Sequence, residues 1–371
     1  MTEMTSAELG VRIREARERR GLNQADLGER LQLDRTMVNK IENGTRKVSA
    51  LELSQIADAL RVRMASFFAT PVPAIVSHRS TQGLEVVDSQ IDAMLEELVA
   101  DVELVQDLGA LNRREVQVAQ IDVPQTRADA EMMAERARTS VGLDEDSPAY
   151  ELQRLFGDAG LFVFTRDLGT DTADAGTVLL RDATGVSVVN SAQKVGRRRL
   201  AATHEFGHFL VCDDYSVDWD VTADGQQTEA LLDHFARAFL LPDRGLRGLW
   251  SRTIADGLRG AAVVAASTFR VDMATLARRL TDLDLVTRAE AGQIRQFRTT
   301  SADMIEHDLY SHDEMAGTTQ PRLYQQAVLR LVRDELISGV RALELLWGTV
   351  DENDLPAPHI STDADIWQFV S

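Results

Sequence analysis

The sequence predicts a multidomain, mainly α-helical chain. A small five-helix domain comes first, a mixed α+β domain with a small sheet follows, and a helical region ends the chain. Three observations carry this. Apolar residues recur at helical spacing over most of the chain, and the recurrence is broken at regular places in the first 70 residues. Between 127 and 245, helical patterns alternate with short strand-like runs such as "GVSVVNS" at 185–191. With 371 residues, 44% apolar and 27% charged, the chain is long enough for two or three separate cores.

The same composition excludes several classes. No stretch approaches 18 consecutive apolar residues, so no membrane partner is expected. The opening "MTEMTSAELGVRIREARERRG" is charged and amphipathic, unlike a secretory leader. A single cysteine, Cys212, rules out an internal disulfide and fits a cytoplasmic location. The net charge of -19 argues against nucleic acid until it is divided along the chain. Residues 1–70 carry 12 Lys and Arg against 10 Asp and Glu, whereas the remainder carries 28 against 49. The acidity lies outside the N-terminal segment, where a local basic face can still meet phosphates.

Each N-terminal element has its own signal. Leu9, Ile13 and Ala16 mark one face of a first helix that ends at Gly21. Asn23 is the expected N-cap of a short second helix holding Ala25, Leu27 and Leu31. After the turn at Gln32-Leu33, Asp34 caps a third helix that stops at Asn43-Gly44. Ser49 opens a fourth, with Leu51, Leu53, Ile56, Ala57 and Leu60 facing inward. Two short helices joined by a tight turn are the plan of a helix-turn-helix, whose second helix enters the major groove. Arg35, Thr36, Asn39 and Lys40 are its base-facing candidates, because Arg and Asn make paired contacts to guanine and adenine. Gln24, Arg46 and Lys47 suit phosphate contacts.

This stretch, with a Gln opening helix 2, "IENG" ending helix 3 and "LSQIADAL" in helix 4, resembles the XRE (Cro/C1-like) helix-turn-helix family over residues 7–69. The resemblance implies sequence-specific binding to palindromic double-stranded DNA operators, usually as a homodimer.

Domain one is thus expected over 1–69, with a linker and long connector helix over 70–125. Pro71 and Pro73 mark the linker. Val87, Ile91, Met94, Leu95, Leu98, Val102 and Val105 form one apolar stripe that needs a partner, in the same chain or in a second subunit.

The strongest chemical signal is His204-Glu205-Phe206-Gly207-His208. Histidines at i and i+4 lie one turn apart on one helical face, so both imidazoles reach one metal ion. The Glu beside the first histidine is placed to take a proton from water. Downstream, "TEALLDHFARAFLLPD" offers Glu229 as third ligand and, four residues on, Asp233 to hold a ligand histidine's second nitrogen. His234 competes as a ligand, but lies about 100° round the helix from Asp233 and about 140° from Glu229. Cys212 sits one turn past His208, as a thiol near the metal or as plain core. Tyr215 is the nearest candidate in sequence for an oxyanion donor, with an ordinary loop tyrosine as the competing reading. The strand at 185–191 is expected to offer an edge to an extended substrate.

HExxH followed by ExxxD is the arrangement of gluzincin metallopeptidases, and the order of elements over 127–245 resembles the ImmA/IrrE metallopeptidase family. The resemblance implies Zn2+ held by His204, His208 and Glu229, Glu205 as general base, and a zincin-like domain over 126–260. Leu232-Asp233 departs from the Ala-Asn often found there in that family. "FRVDMATLARRLTDLDLVT" at 269–287 resembles the segment that often follows the family's core, and 261–371 is expected to be a helical C-terminal domain. His307, His312 and His359 have no ligand spacing.

Together these imply a DNA-binding transcriptional regulator whose zinc peptidase cleaves a regulatory protein, a repressor by the family's example, in a stress or phage-type response. The alternative is a non-catalytic transcription factor or antitoxin-like regulator whose zincin-like domain senses a ligand or metal.

Overall fold

A computed structural model of the chain describes residues 5–19, 22–31, 33–60, 67, 75–79, 89–111, 121–169, 174–180, 184–211, 223–310 and 312–357. It forms two compact units, Met1–Val72 and Pro73–Ser371.

In the first unit, α1 (Ser6–Arg19), α2 (Gln24–Leu31), α3 (Arg35–Glu42) and α4 (Ala50–Leu60) fall where the apolar spacing puts them. Their starts are set by side-chain caps. The Asn23 carboxamide oxygen accepts from the N–H groups of Ala25 and Asp26 at 2.8 and 3.0 Å, and Asp34 accepts from Met37 N–H at 2.8 Å. Ser49 and Glu52 cap each other reciprocally. The helices bury Ile13, Leu27, Val38, Ile41, Leu53, Ile56 and Leu60 around Phe67. Beneath them Arg17 donates to both oxygens of buried Glu42, at 2.6 and 3.1 Å, and ties α1 to α3. The fifth helix expected before residue 69 falls almost wholly outside the described residues.

Two glycines let these helices meet. A Cβ on Gly10 would lie 2.5 Å from the carbonyl oxygens of Ile41 and Glu42. Gly44 takes a φ of +68°, and its Cβ would strike the backbone of Ala7.

The second unit is built on a small sheet. β1 (Ile75–Arg79), β2 (Leu161–Arg166), β3 (Ala175–Leu179) and β4 (Gly185–Asn190) lie in the order β1-β3-β4-β2. β4 runs parallel to β2 and antiparallel to β3, and β1 adds antiparallel to the outer side of β3. β4, expected to offer a free edge, is therefore an interior strand. Its near-continuous apolar character reflects neighbours on both sides. The outer side of β2 is covered at Thr165, which exchanges backbone hydrogen bonds of 2.9 and 3.2 Å with Thr319.

Alternation along the strands sends odd-numbered residues to one layer. Leu161, Val163, Ala175 and Val189 share a core with Phe206 and Phe209 of α8 (Val195–Val211). The even-numbered Phe164 meets Tyr324 of α15 (Arg322–Arg333) edge to face, with ring centroids 5.1 Å apart. The connector stripe also finds its partner inside the chain. Ile91, Leu95, Leu98, Val102 and Val105 of α5 (Ser89–Asp107) are buried, and the helix packs on β3, β4 and α15. Val87 lies outside the described residues.

α6 (Arg127–Ser140), α7 (Leu152–Ala159) and α9 (Ala223–Leu240) complete the layer around α8. α10 (Asp243–Thr253), α11 (Leu258–Phe269), α12 (Met273–Asp282), α13 (Arg288–Ile294) and α14 (Ser301–Glu306) follow, and Ala261, Ala265, Leu276, Leu280 and Ile294 belong to the same core as Phe206 and Phe239. The expected boundary at 260/261 thus runs through continuous packing. Pro242 and Gly257 start new helices as their N-caps instead of opening a linker.

Gly10→Ala should destabilise the first unit by at least about 1–3 kcal/mol, because backbone oxygens cannot yield to the new methyl group. In urea titrations of the full chain, the transition of the first unit should move to lower denaturant. The transition of the second unit should not move.

Candidate metal centre

The HExxH helix is buried along its whole C-terminal half, which an isolated amphipathic helix could not tolerate. Its aromatic side is held by Phe206, stacked on Phe156 of α7 with ring centroids 4.2 Å apart and edge to face with Phe239 of α9 at 5.9 Å. Its polar N-terminal residues are each tied down. Arg197 donates to Asp174 at 2.8 Å, Arg198 pairs with Asp313, and fully buried Arg199 pairs with Glu314. The segment at 313–314 therefore clamps the start of α8 from far along the sequence.

α9 crosses α8 at Gly207. A Cβ there would lie 2.9 Å from the Phe235 ring and 3.3 Å from Leu232. The absent side chain lets α9 approach closely enough for Glu229 to reach both histidines. His204 Nε2 lies 3.0 Å from Glu229 Oε2, His208 Nε2 lies 3.1 Å from Glu229 Oε1, and the two Nε2 atoms are 3.1 Å apart. Among the described residues these three form a group able to hold a metal ion. Two imidazole nitrogens and a carboxylate oxygen are a donor set that zinc accepts, and metal–ligand bonds of ~2.0–2.1 Å in a tetrahedron separate donors by roughly 3.3 Å. The residues fit the ion.

The expected outer support is also in position. Asp233 Oδ1 lies 3.1 Å from His204 Nδ1, so with a metal ion bound a proton held on Nδ1 would leave the Nε2 lone pair for the ion. Burial alone would raise the Glu229 carboxyl, but hydrogen bonds from His204 and His208 outweigh it and hold the group well below the usual carboxylate range. Glu229 and Asp233 keep roughly two-fifths of their side chains exposed, 37% and 39%, which opens the group on its α9 side. Glu205 is fully buried on the side of the sheet, where its Oε2 accepts a 2.6 Å hydrogen bond from the Thr177 hydroxyl of β3.

His234 does not join the donors. Its Nε2 lies 2.7 Å from Glu131 of α6, on the other face of α9, as the helical angle requires. Arg279 of α12 (Met273–Asp282) donates to the same carboxylate, through Nη2 at 2.9 Å. Burial would raise Glu131, yet His234 and Arg279 bring it from an ordinary 4.5 down to about 2. Sequence spacing gave no sign of this anchor, because its members lie in three helices far apart in the chain. Thr177 was equally silent, although a hydroxyl at an inward position of "AGTVL" is the one trace it left. Cys212 and Tyr215 lie outside the described residues.

On the first unit, Arg35, Thr36, Asn39 and Lys40 are exposed on one face of α3, opposite buried Val38, Ile41 and Glu42. Lys47 is exposed, and Arg46 donates to Glu52. Gln24 donates to Glu42 at 2.8 Å, so its amide nitrogen is engaged inside the unit.

Residues 13–67 match the helix-turn-helix family, and residues 157–281 match the IrrE N-terminal-like domain. Over 107 residues the chain is 31% identical to an uncharacterized HTH-type transcriptional regulator, y4wC, of Sinorhizobium fredii, a match spanning 29% of this chain and 73% of that protein. A second regulator from that organism, y4aM, is 42% identical over 60 residues, 16% of this chain and 42% of that protein. A solved structure of a Mycobacterium tuberculosis transcriptional regulator aligns at 26% identity with a TM-score of 0.30, covering 42% of this chain and 46% of that one.

Asp233→Asn should lower metal affinity about 10–100-fold, and Glu229→Ala should lower it further. Competition with a chromogenic chelator measures both. Glu131 should stabilise the fold fully above pH 4.5 and lose that contribution as pH falls toward about 2. Thermal melts of Glu131→Gln should show a shallower acid-side decline over that window than wild type.

Proposed function

Because the chain belongs to the HTH-type transcriptional regulators and carries an IrrE N-terminal-like domain behind its helix-turn-helix, we propose that it is a DNA-tethered zinc peptidase that cleaves a regulatory protein, a repressor being the expected target. The observation that carries the reading is Glu205: a carboxylate buried beside the three donors, not one of them, and oriented by Thr177.

Zn2+ bound by His204, His208 and Glu229 would supply Lewis acidity beside the scissile carbonyl. Glu205 takes the proton from the attacking water and returns it to the leaving amine. Thr177 donates to one Glu205 oxygen, which fixes the carboxylate's direction. Asp233 holds the His204 tautomer. On the first unit, Arg35, Thr36, Asn39 and Lys40 read base edges in the major groove. Gln24, Arg46 and Lys47 lie around them toward the phosphates, Gln24 and Arg46 after exchanging their present carboxylate partners. Palindromic operators and a homodimer follow from the XRE resemblance. Among the described residues no helix is long and apolar enough to cross a membrane.

Glu205→Gln should bind zinc as wild type does and lose cleavage of co-expressed neighbouring regulators about 10²–10⁴-fold, read as missing fragments on a gel. If that variant controls its promoter as well as wild type, regulation does not depend on proteolysis and the zincin-like domain is a sensor. Arg35→Ala should lose ~1–3 kcal/mol of sequence discrimination. Lys47→Ala should instead weaken binding to all sequences and lower the salt slope by about 1. Titrations of labelled duplexes at several salt concentrations separate the two.

A further inference from the structure

β3 lies beside the candidate metal centre: its Thr177 hydroxyl reaches Glu205. An extended peptide presented to this site has one backbone ladder to join, the side of β3 that faces away from β4. That side is already taken. β1 pairs there antiparallel, with Ser77 opposite Thr177, His78 opposite Gly176 and Arg79 opposite Ala175. β1 also packs on α8, the helix that carries both histidines. It comes from the Pro-bearing stretch expected to be a plain linker, and it begins three residues after the first unit ends at Val72.

We propose that β1 is a built-in occupant of the peptide track: the connector lies where an extended substrate would pair, and a substrate segment must displace it to reach Glu205. The inference rests on the metallopeptidase reading above. A shift of register between Ile75 and Ser77 makes the occupant replaceable, since it interrupts the ladder beside the position opposite Thr177. The ligand chemistry that competes is an unfolded, extended polypeptide, whose main-chain groups reproduce the same ladder.

The test compares full-length, zinc-loaded wild type with Ser77→Pro, which removes one N–H from the strand and fixes its φ. Hydrogen exchange at the amides of 175–179 should be at least tenfold faster in the variant. Cleavage of casein should also be at least tenfold faster, and a synthetic peptide of residues 73–83 should reverse both changes. If Ser77→Pro does not fold, Ser77→Gly reads the same equilibrium with an increase of roughly twofold to fivefold. Exchange at 175–179 that is alike in wild type and variant overturns the proposal, as does unchanged cleavage once that edge is exposed. A wild-type fragment cut within 75–79 would make the connector a substrate and also overturns it. Failure of the peptidase reading looks different: zinc binding is then indifferent to Glu229, or cleavage to Glu205, whereas the exchange difference stands.

Discussion

The candidate metal centre depends on one close approach, the crossing of α8 and α9 at Gly207. Two histidines on one helix can meet a single ion by spacing alone, but a third donor must come from elsewhere. α9 supplies it only because no side chain stands at position 207, where a Cβ would lie 2.9 Å from the Phe235 ring. The apolar contact and the ligand geometry are therefore one arrangement. Phe235 and Leu232 pack toward α8 on the turn that carries Glu229 and Asp233 to the histidines.

Holding α8 and α9 in that crossing falls to buried charge. Arg199 is fully buried and pairs with Glu314, and Arg279 is fully buried and pairs with Glu131. Removing one member of such a pair strands the other charge and costs more than the pair contributes, so these contacts specify position more than they add stability. The first clamps the start of α8. The second, with His234, clamps the outer face of α9. Each ties the metal helices to segments distant in sequence, which explains why residues beyond 260 belong to the same core.

Much of this was legible in the sequence, and the boundary between legible and silent has a physical cause. Caps at Asn23, Asp34 and Ser49 are local, so the helices of the first unit could be read one by one. The donor triad was legible because two of its members share a helix and the third obeys a short helical spacing. The sheet order was not. β4 reads as a strand from its own residues, but only tertiary pairing decides whether it is an edge. The interior position of β4 and the addition of β1 from the connector are facts of topology that no periodicity encodes. Thr177 and Glu131 stayed hidden for the same reason: each acts on a residue brought near by folding.

Glu205 is where the chemistry and the energetics meet. An ionisable group with no exposure is costly to bury unless hydrogen bonds replace its water, and the Thr177 hydroxyl replaces part of it at 2.6 Å. A site that only senses a metal needs its donors and their supports, which His204, His208, Glu229 and Asp233 already provide. A further carboxylate buried beside them is not required by such a site and burdens the fold. In a hydrolytic site the same carboxylate has a task, taking a proton from water, and a neighbouring hydroxyl fixes its direction. This asymmetry is what favours the peptidase proposal. On that proposal the connector strand also acquires a meaning, since a reactive site tethered to a DNA-binding unit would gain from holding its peptide track filled until a substrate arrives.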